Sequence, residues 1–141
     1  MTIRIIFAGG GTAGHVEPAL AVASWLRSKK PEWQYHFIGT KTGLENQLVP
    51  EAGFELRHIP KVLMPRQLTP STVFWPVKIL IATWQGIKIC KDADLIIGFG
   101  GYACPPLYLA GAILRKPIFI HEANAIPGWA NKLGAPFASK I

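Results

Sequence analysis

The run Gly9-Gly10-Gly11-Thr12-Ala13-Gly14-His15 constrains this chain more than any other stretch. An apolar segment, Ile3 to Ala8, leads into it, and a helical pattern from about Val16 leads out of it. Strand, glycine-rich turn and helix together aim unpaired backbone N–H groups and a helix dipole at an anion, most often a phosphate. Glycine lets the backbone approach such a ligand closely. A histidine closing the loop is the unusual part.

The rest of the chain repeats the strand-then-helix alternation. Ile3 to Ala8 reads as a buried parallel strand, and Val16 to about Lys29 as a helix with Pro18 in its first turn. Tyr35 to Gly39 is the second strand. Thr42 and Glu45 have capping-box spacing, which assigns Glu45 to capping a short helix that stops at Gly53. Phe54 to Ile59 is the third strand, and Pro60 to Ser71 a proline-punctuated loop. Thr72 to Lys91 reads as a helix and Leu95 to Gly98 as the fourth strand. Gly98-Phe99-Gly100-Gly101-Tyr102 is a second glycine turn, followed by a helix that Pro105 opens. Pro117 to Ile120 is the fifth strand, with His121-Glu122-Ala123-Asn124 at its carboxyl end. A short helix covers Pro127 to Leu133, and Phe137 to Ile141 looks like the start of a sixth strand. The pattern predicts an α/β fold, a Rossmann-like open parallel sheet with helices on both faces, as one domain over residues 1–141. Ligands of such sheets bind outside the carboxyl ends of the strands. Both glycine turns and the His-Glu-Ala-Asn segment fall on that edge.

A formal net charge of +7 suits an acidic or phosphorylated partner. Lys and Arg are dispersed without a basic-aromatic motif, so nucleic acid is not expected. Cys90 and Cys104 lack metal-ligand spacing and read as reduced, partly buried thiols. No apolar run is long enough for a transmembrane helix, and no signal peptide is evident. Nothing calls for a metal or a cofactor.

Gly9, Gly11 and Gly14 match the dinucleotide fingerprint, yet the second strand ends Ile38-Gly39-Thr40-Lys41, without the acid that would hold a ribose hydroxyl. The loop nearly fits a P-loop, but His15 and Val16 replace the required Lys and Ser/Thr. What remains is a loop for a diphosphate-like anion that presents an imidazole. A neutral imidazole at a helix start can accept a proton, for example from the hydroxyl of a sugar attached to that diphosphate. The other reading of His15 is a helix-start residue hydrogen-bonded to backbone. His36 and His58 read as structural or surface residues.

Gly10 to Leu20, Gly98 to Tyr102 and His121 to Asn124, in this order and spacing, resemble the amino-terminal domain of the MurG family. The resemblance spans essentially the whole chain. It departs at Ala13, Glu17 and Ala123, where relatives often carry Gly, an aromatic and Gln. It implies the amino-terminal half of a GT-B glycosyltransferase. That family moves N-acetylglucosamine from UDP-N-acetylglucosamine to undecaprenyl-diphosphate-linked N-acetylmuramoyl pentapeptide, with inversion, in peptidoglycan synthesis. The amino-terminal domain takes the acceptor. The UDP-sugar domain would be absent, so the chain alone should not turn over. By position, Gly10, Gly11, Thr12, Ala13, Gly14, Gly100, Gly101 and Tyr102 would hold the acceptor diphosphate. His15 would be the base for the C4 hydroxyl, and Glu122 and Asn124 would complete the acceptor site. The alternative is a stand-alone acceptor-binding and anchoring subunit that recruits a separate donor-binding chain.

A lipid-linked acceptor implies a peripheral enzyme on the cytoplasmic face of the bacterial plasma membrane. The helix around Thr72 to Lys91 has Val77, Leu80, Ile81, Trp84 and Ile87 on one face, expected to pack on the sheet. Phe74, Trp75, Ile79, Ala82 and Ile89 would flank it. With Leu63, Met64 and Leu68 beside Lys61 and Arg66, they are expected to offer an apolar surface ringed by basic residues to anionic lipid.

Overall fold

The computed structural model describes residues 1–63 and 70–141. Five strands form one parallel sheet: β1 (Arg4–Ala8), β2 (Gln34–Gly39), β3 (Glu55–His58), β4 (Leu95–Gly98) and β5 (Ile118–Ile120). Their spatial order is β3-β2-β1-β4-β5. The chain builds outward from β1 in one direction and then, from β4, in the other. This is the expected doubly wound arrangement, and its switch point lies between β1 and β4.

The helices are α1 (Ala13–Lys29), α2 (Glu45–Glu51), α3 (Trp75–Cys90), α4 (Cys104–Ile113) and α5 (Trp129–Gly134). Alternate residues of each strand point to opposite faces of the sheet. Ile5 and Phe7 therefore join Val16, Ala19 and Ala23 of α1 and Val49 of α2 in one core. Ile6 and Ala8 join Cys90, Cys104, Leu107, Tyr108 and Ala130 in the other, under α3, α4 and α5. Phe7 is fully buried and stacks on Phe37, with ring centroids 5.0 Å apart.

Four local expectations change. First, α1 begins at Ala13, so His15 lies within its first turn and Pro18 inside the helix. Second, Pro70–Phe74 is a 3-10 turn preceding α3. Third, Phe137 closes a 3-10 turn. Sheet-like pairing with β5 begins only at Ser139 and Lys140, where Phe119 bridges Lys140.

The fourth concerns the orientation of α3. Its buried residues are the small ones, Ala82, Thr83, Gly86 and Cys90. Val77, Leu80, Ile81 and Trp84, expected to pack on the sheet, are 48–67% exposed. The cause is close packing on α4: a Cβ at Gly86 would lie 3.2 Å from Ala110 Cβ and 3.3 Å from the Pro106 carbonyl oxygen. Bulky side chains cannot enter that seam, so the bulky stripe faces outward.

Candidate functional site

The two glycine turns leave β1 and β4, the strands on either side of the switch point. Phe99 N–H donates to the Ala8 carbonyl at 2.8 Å, which fixes the second turn beside the first. Gly100 and Gly101 have φ of 98° and 95°, which side chains larger than glycine's rarely adopt. Each also leaves room for the first loop. A Cβ on Gly101 would collide with the Gly10 carbonyl oxygen, and one on Gly100 would lie 2.9 Å from the His15 ring.

A cleft of about 720 Å³ opens over this junction. Of the residues expected in the site, Gly10, Gly11, Thr12, His15, Gly100, Gly101, Tyr102, Glu122 and Asn124 line it. Ala13 and Gly14, the first residues of α1, are not among the lining residues. Leu63, Gly128, Trp129, Ala130 and Asn131 also line the cleft and were not anticipated.

His15 is partly buried. Its Nδ1 lies 3.0 Å from the Gly10 carbonyl oxygen and 3.2 Å from Thr12 Oγ1. A carbonyl only accepts, so Nδ1 carries the proton in the neutral ring and the Nε2 lone pair is left open to accept one.

Glu45 does not form a capping box. It is the first residue of α2 and makes no cap hydrogen bond there. Its carboxylate is 1% exposed and lies beneath the first glycine loop. Oε2 accepts Gly11 N–H at 2.8 Å; Oε1 accepts Thr40 N–H at 3.0 Å and the Thr40 hydroxyl at 3.3 Å. The buried Thr40 N–H needs an acceptor away from water, and Glu45 supplies it, while the Thr40 hydroxyl also reaches the Thr42 carbonyl at 2.9 Å. The Gly11 N–H is thereby committed to Glu45 and not to a ligand. The N–H groups of Thr12, Ala13 and Gly14 open α1, where the helix itself offers them no partner.

The segment after β5 is organised by Glu122. One oxygen accepts the backbone and side-chain N–H of Asn124 at 2.9 and 2.8 Å. The other accepts Gly128 N–H at 3.1 Å and Asn131 Nδ2 at 3.0 Å. Burial works against the charge, but the donors from Asn124, Asn131 and Gly128 outweigh it and hold the carboxyl down at about 2. Buried Asn131 is tied in turn to Tyr108, whose hydroxyl donates to its Oδ1 at 2.8 Å.

Lys61 Nζ lies 4.5 Å from the Tyr102 ring centroid at the rim. His36 pairs with Glu55 at 2.9 Å and His58 with Asn46 at 2.7 Å, both outside the cleft lining, consistent with their structural reading. Leu63 is exposed, while Met64, Arg66 and Leu68 lie outside the described residues. Among the described residues no cluster of His, Cys, Asp and Glu is arranged to hold a metal ion. Likewise, no described helix is long and apolar enough to cross a membrane.

Residues 5–141 match the glycosyltransferase family 28 N-terminal domain. The chain is 50% identical over 135 residues to the UDP-N-acetylglucosamine–N-acetylmuramyl-(pentapeptide) pyrophosphoryl-undecaprenol N-acetylglucosamine transferase of Thermobifida fusca, covering 94% of this chain and 36% of that protein. It is 47% identical over 141 residues to the Streptomyces collinus protein of the same name, covering 99% and 39%. Among solved structures, Acinetobacter baumannii MurG superimposes with a TM-score of 0.81 at 34% identity, covering 97% of this chain and 40% of that one. The chain thus spans under two fifths of the length of these curated relatives.

Proposed function

The chain belongs to the glycosyltransferase family 28 N-terminal domains, and on that premise we propose that it is the acceptor-binding part of an inverting N-acetylglucosamine transferase. The acceptor is undecaprenyl-diphosphate-linked N-acetylmuramoyl pentapeptide. UDP-N-acetylglucosamine is supplied by a companion domain. The observation that carries this reading is the meeting of two glycine turns over one cleft with His15 between them. The acceptor diphosphate lies against the first turn of α1, where the N–H groups of Thr12, Ala13 and Gly14 and the helix dipole favour an anion. Gly100, Gly101 and Tyr102 close the other side.

His15 Nε2 takes the proton of the sugar C4 hydroxyl as that oxygen attacks the anomeric carbon of the UDP-sugar. The C–O bond to UDP breaks with its electron pair leaving on the diphosphate, and in-line attack inverts the centre. Glu122 acts as the brace of the Asn124 to Asn131 wall, since both its oxygens are engaged within its own loop.

The outward stripe of α3 docks on the membrane that holds the lipid acceptor. Val77, Leu80, Ile81 and Trp84 are exposed on it, Val73 and Phe74 are exposed on the 3-10 turn before it, and Lys88 Nζ lies 3.3 Å from the Trp84 ring centroid. Apolar side chains beside lysines suit an anionic bilayer surface, here the cytoplasmic face of the plasma membrane.

Transfer of labelled N-acetylglucosamine by the chain joined to its donor domain tests the reading. His15→Ala should lower kcat ~10²- to 10⁴-fold with the KM for UDP-sugar nearly unchanged. Unchanged turnover would remove His15 from the reaction.

A further inference from the structure

We propose that Glu45 is a positioning residue for His15, acting through the single peptide group between Gly10 and Gly11. The inference rests on the reading of His15 as the base. That peptide is held at both ends. Its N–H, on Gly11, donates to Glu45 Oε2 at 2.8 Å. Its C=O, on Gly10, receives His15 Nδ1 at 3.0 Å. A peptide group is planar, so fixing its N–H fixes the direction of its carbonyl. Gly10 and Gly11 carry no side chain to hold the plane, and the Glu45 carboxylate is the side-chain hydrogen-bond acceptor on its N–H.

The carbonyl matters because Nδ1 has two neighbours of different character. Thr12 Oγ1, at 3.2 Å, can donate or accept and so tolerates either tautomer. The Gly10 carbonyl can only accept and so requires the proton on Nδ1. Glu45, by aiming that carbonyl, selects the tautomer whose Nε2 is free. A carboxylate on the N–H also polarises the peptide and strengthens its oxygen as an acceptor.

The site is shaped for this carboxylate. A Cβ on Gly10 would strike Glu45 Oε1 and one on Gly43 would strike Oε2. One on Gly39 would lie 2.6 Å from Glu45 Cγ. Three glycines thus enclose one side chain, its hydrogen bonds go to the loop amide and Thr40, and among the described residues no salt bridge involves it.

The test is ¹⁵N NMR of the His15 ring and the Gly11 amide on the 141-residue chain, at a pH where the ring is neutral. The wild type should show protonated Nδ1 and unprotonated Nε2. Glu45→Gln should move the Gly11 amide proton upfield and abolish the single-tautomer pattern, with both tautomers present and far-UV circular dichroism retained. Thr12→Val, at an exposed position, should leave the Nδ1–H pattern intact. A wild-type ring protonated on Nε2, a folded Glu45→Gln protein whose Gly11 amide proton has moved upfield while the ring pattern is unaltered, or a Thr12→Val protein that switches tautomer would each overturn the proposal; if Gln retains the Gly11 bond, the same pair of readouts is made on Glu45→Leu. No turnover enters this measurement. Loss of the base role for His15 would therefore be seen separately, in the transfer assay.

Discussion

Asn131 Nδ2 donates to Glu122 Oε2 at 3.0 Å, while Asn131 Oδ1 accepts the buried Tyr108 hydroxyl at 2.8 Å. One asparagine thus ties the loop after β5 to α4 and to the core beneath the cleft. The wall that carries Glu122 and Asn124 is held from below, so its geometry should be sensitive to a change that touches no ligand.

Tyr108→Phe tests that link. It leaves Asn131 Oδ1 unpaired in a buried place and should cost ~1–2 kcal/mol in urea unfolding. Gly98→Ala should be far worse, because a Cβ there would collide with the Tyr108 hydroxyl. Equal stabilities for Tyr108→Phe and wild type would mean the hydroxyl bond contributes nothing net.

Glu122 should shape the acid limb of stability. Its carboxyl is held at about 2 in the folded chain against an ordinary 4.5. A lowered value stabilises the fold above the unfolded value, and that stability is lost as pH falls from about 4.5 towards about 2. Thermal melts across this window should show the wild type losing stability faster than Glu122→Gln. At neutral pH, Glu122→Gln should be ~1–3 kcal/mol less stable, because an amide donor faces N–H donors. Parallel acid limbs would contradict the assignment.

Both thiols should be inert in the native chain. Burial pushes the Cys90 thiol up to about 12 and the Cys104 thiol up to about 11. The Cys104 thiol also donates to the Ala8 and Gly100 carbonyls at 3.2 and 3.3 Å, beneath both glycine turns. Labelling by a thiol reagent at neutral pH should proceed only at the rate of unfolding. Rapid native-state labelling of either would count against this packing.

The outward face of α3 separates docking from stability. Leu80→Glu and Trp84→Glu should each weaken sedimentation with anionic vesicles severalfold, with unfolding changed by no more than ~0.5 kcal/mol. Wild-type binding should weaken as salt rises. Gly86→Leu should do the reverse, destabilising the fold at the α3–α4 seam. Vesicle binding that ignores both glutamates would exclude this face.

The strands, their parallel direction and the placing of both glycine turns on one sheet edge were legible from β-branched runs, glycine spacing and the strand–helix alternation; the strand order was not. The facing of α3 was misread because a hydrophobic stripe was expected to mark the buried side. Here Ala82 and Gly86 mark it, through close backbone packing that no periodicity of bulky residues reports. Glu45 was misread because Thr42 and Glu45 satisfy a local capping pattern. Its true partner, Gly11, is 34 residues away and reaches it only through the β1–β2 pairing. Asn131 carried no signal, being a lone asparagine on a short helix.

In the proposed complex the acceptor diphosphate lies between the two glycine turns. Titrating the ¹⁵N-labelled chain with a short-prenyl diphosphate-linked N-acetylmuramoyl peptide, and following the backbone amides, tests it most directly. Saturable shifts are expected at Thr12, Ala13, Gly14, Gly100, Gly101 and Tyr102, with Glu55 to His58 of β3 unmoved. Saturable binding that leaves both turns unshifted would contradict it.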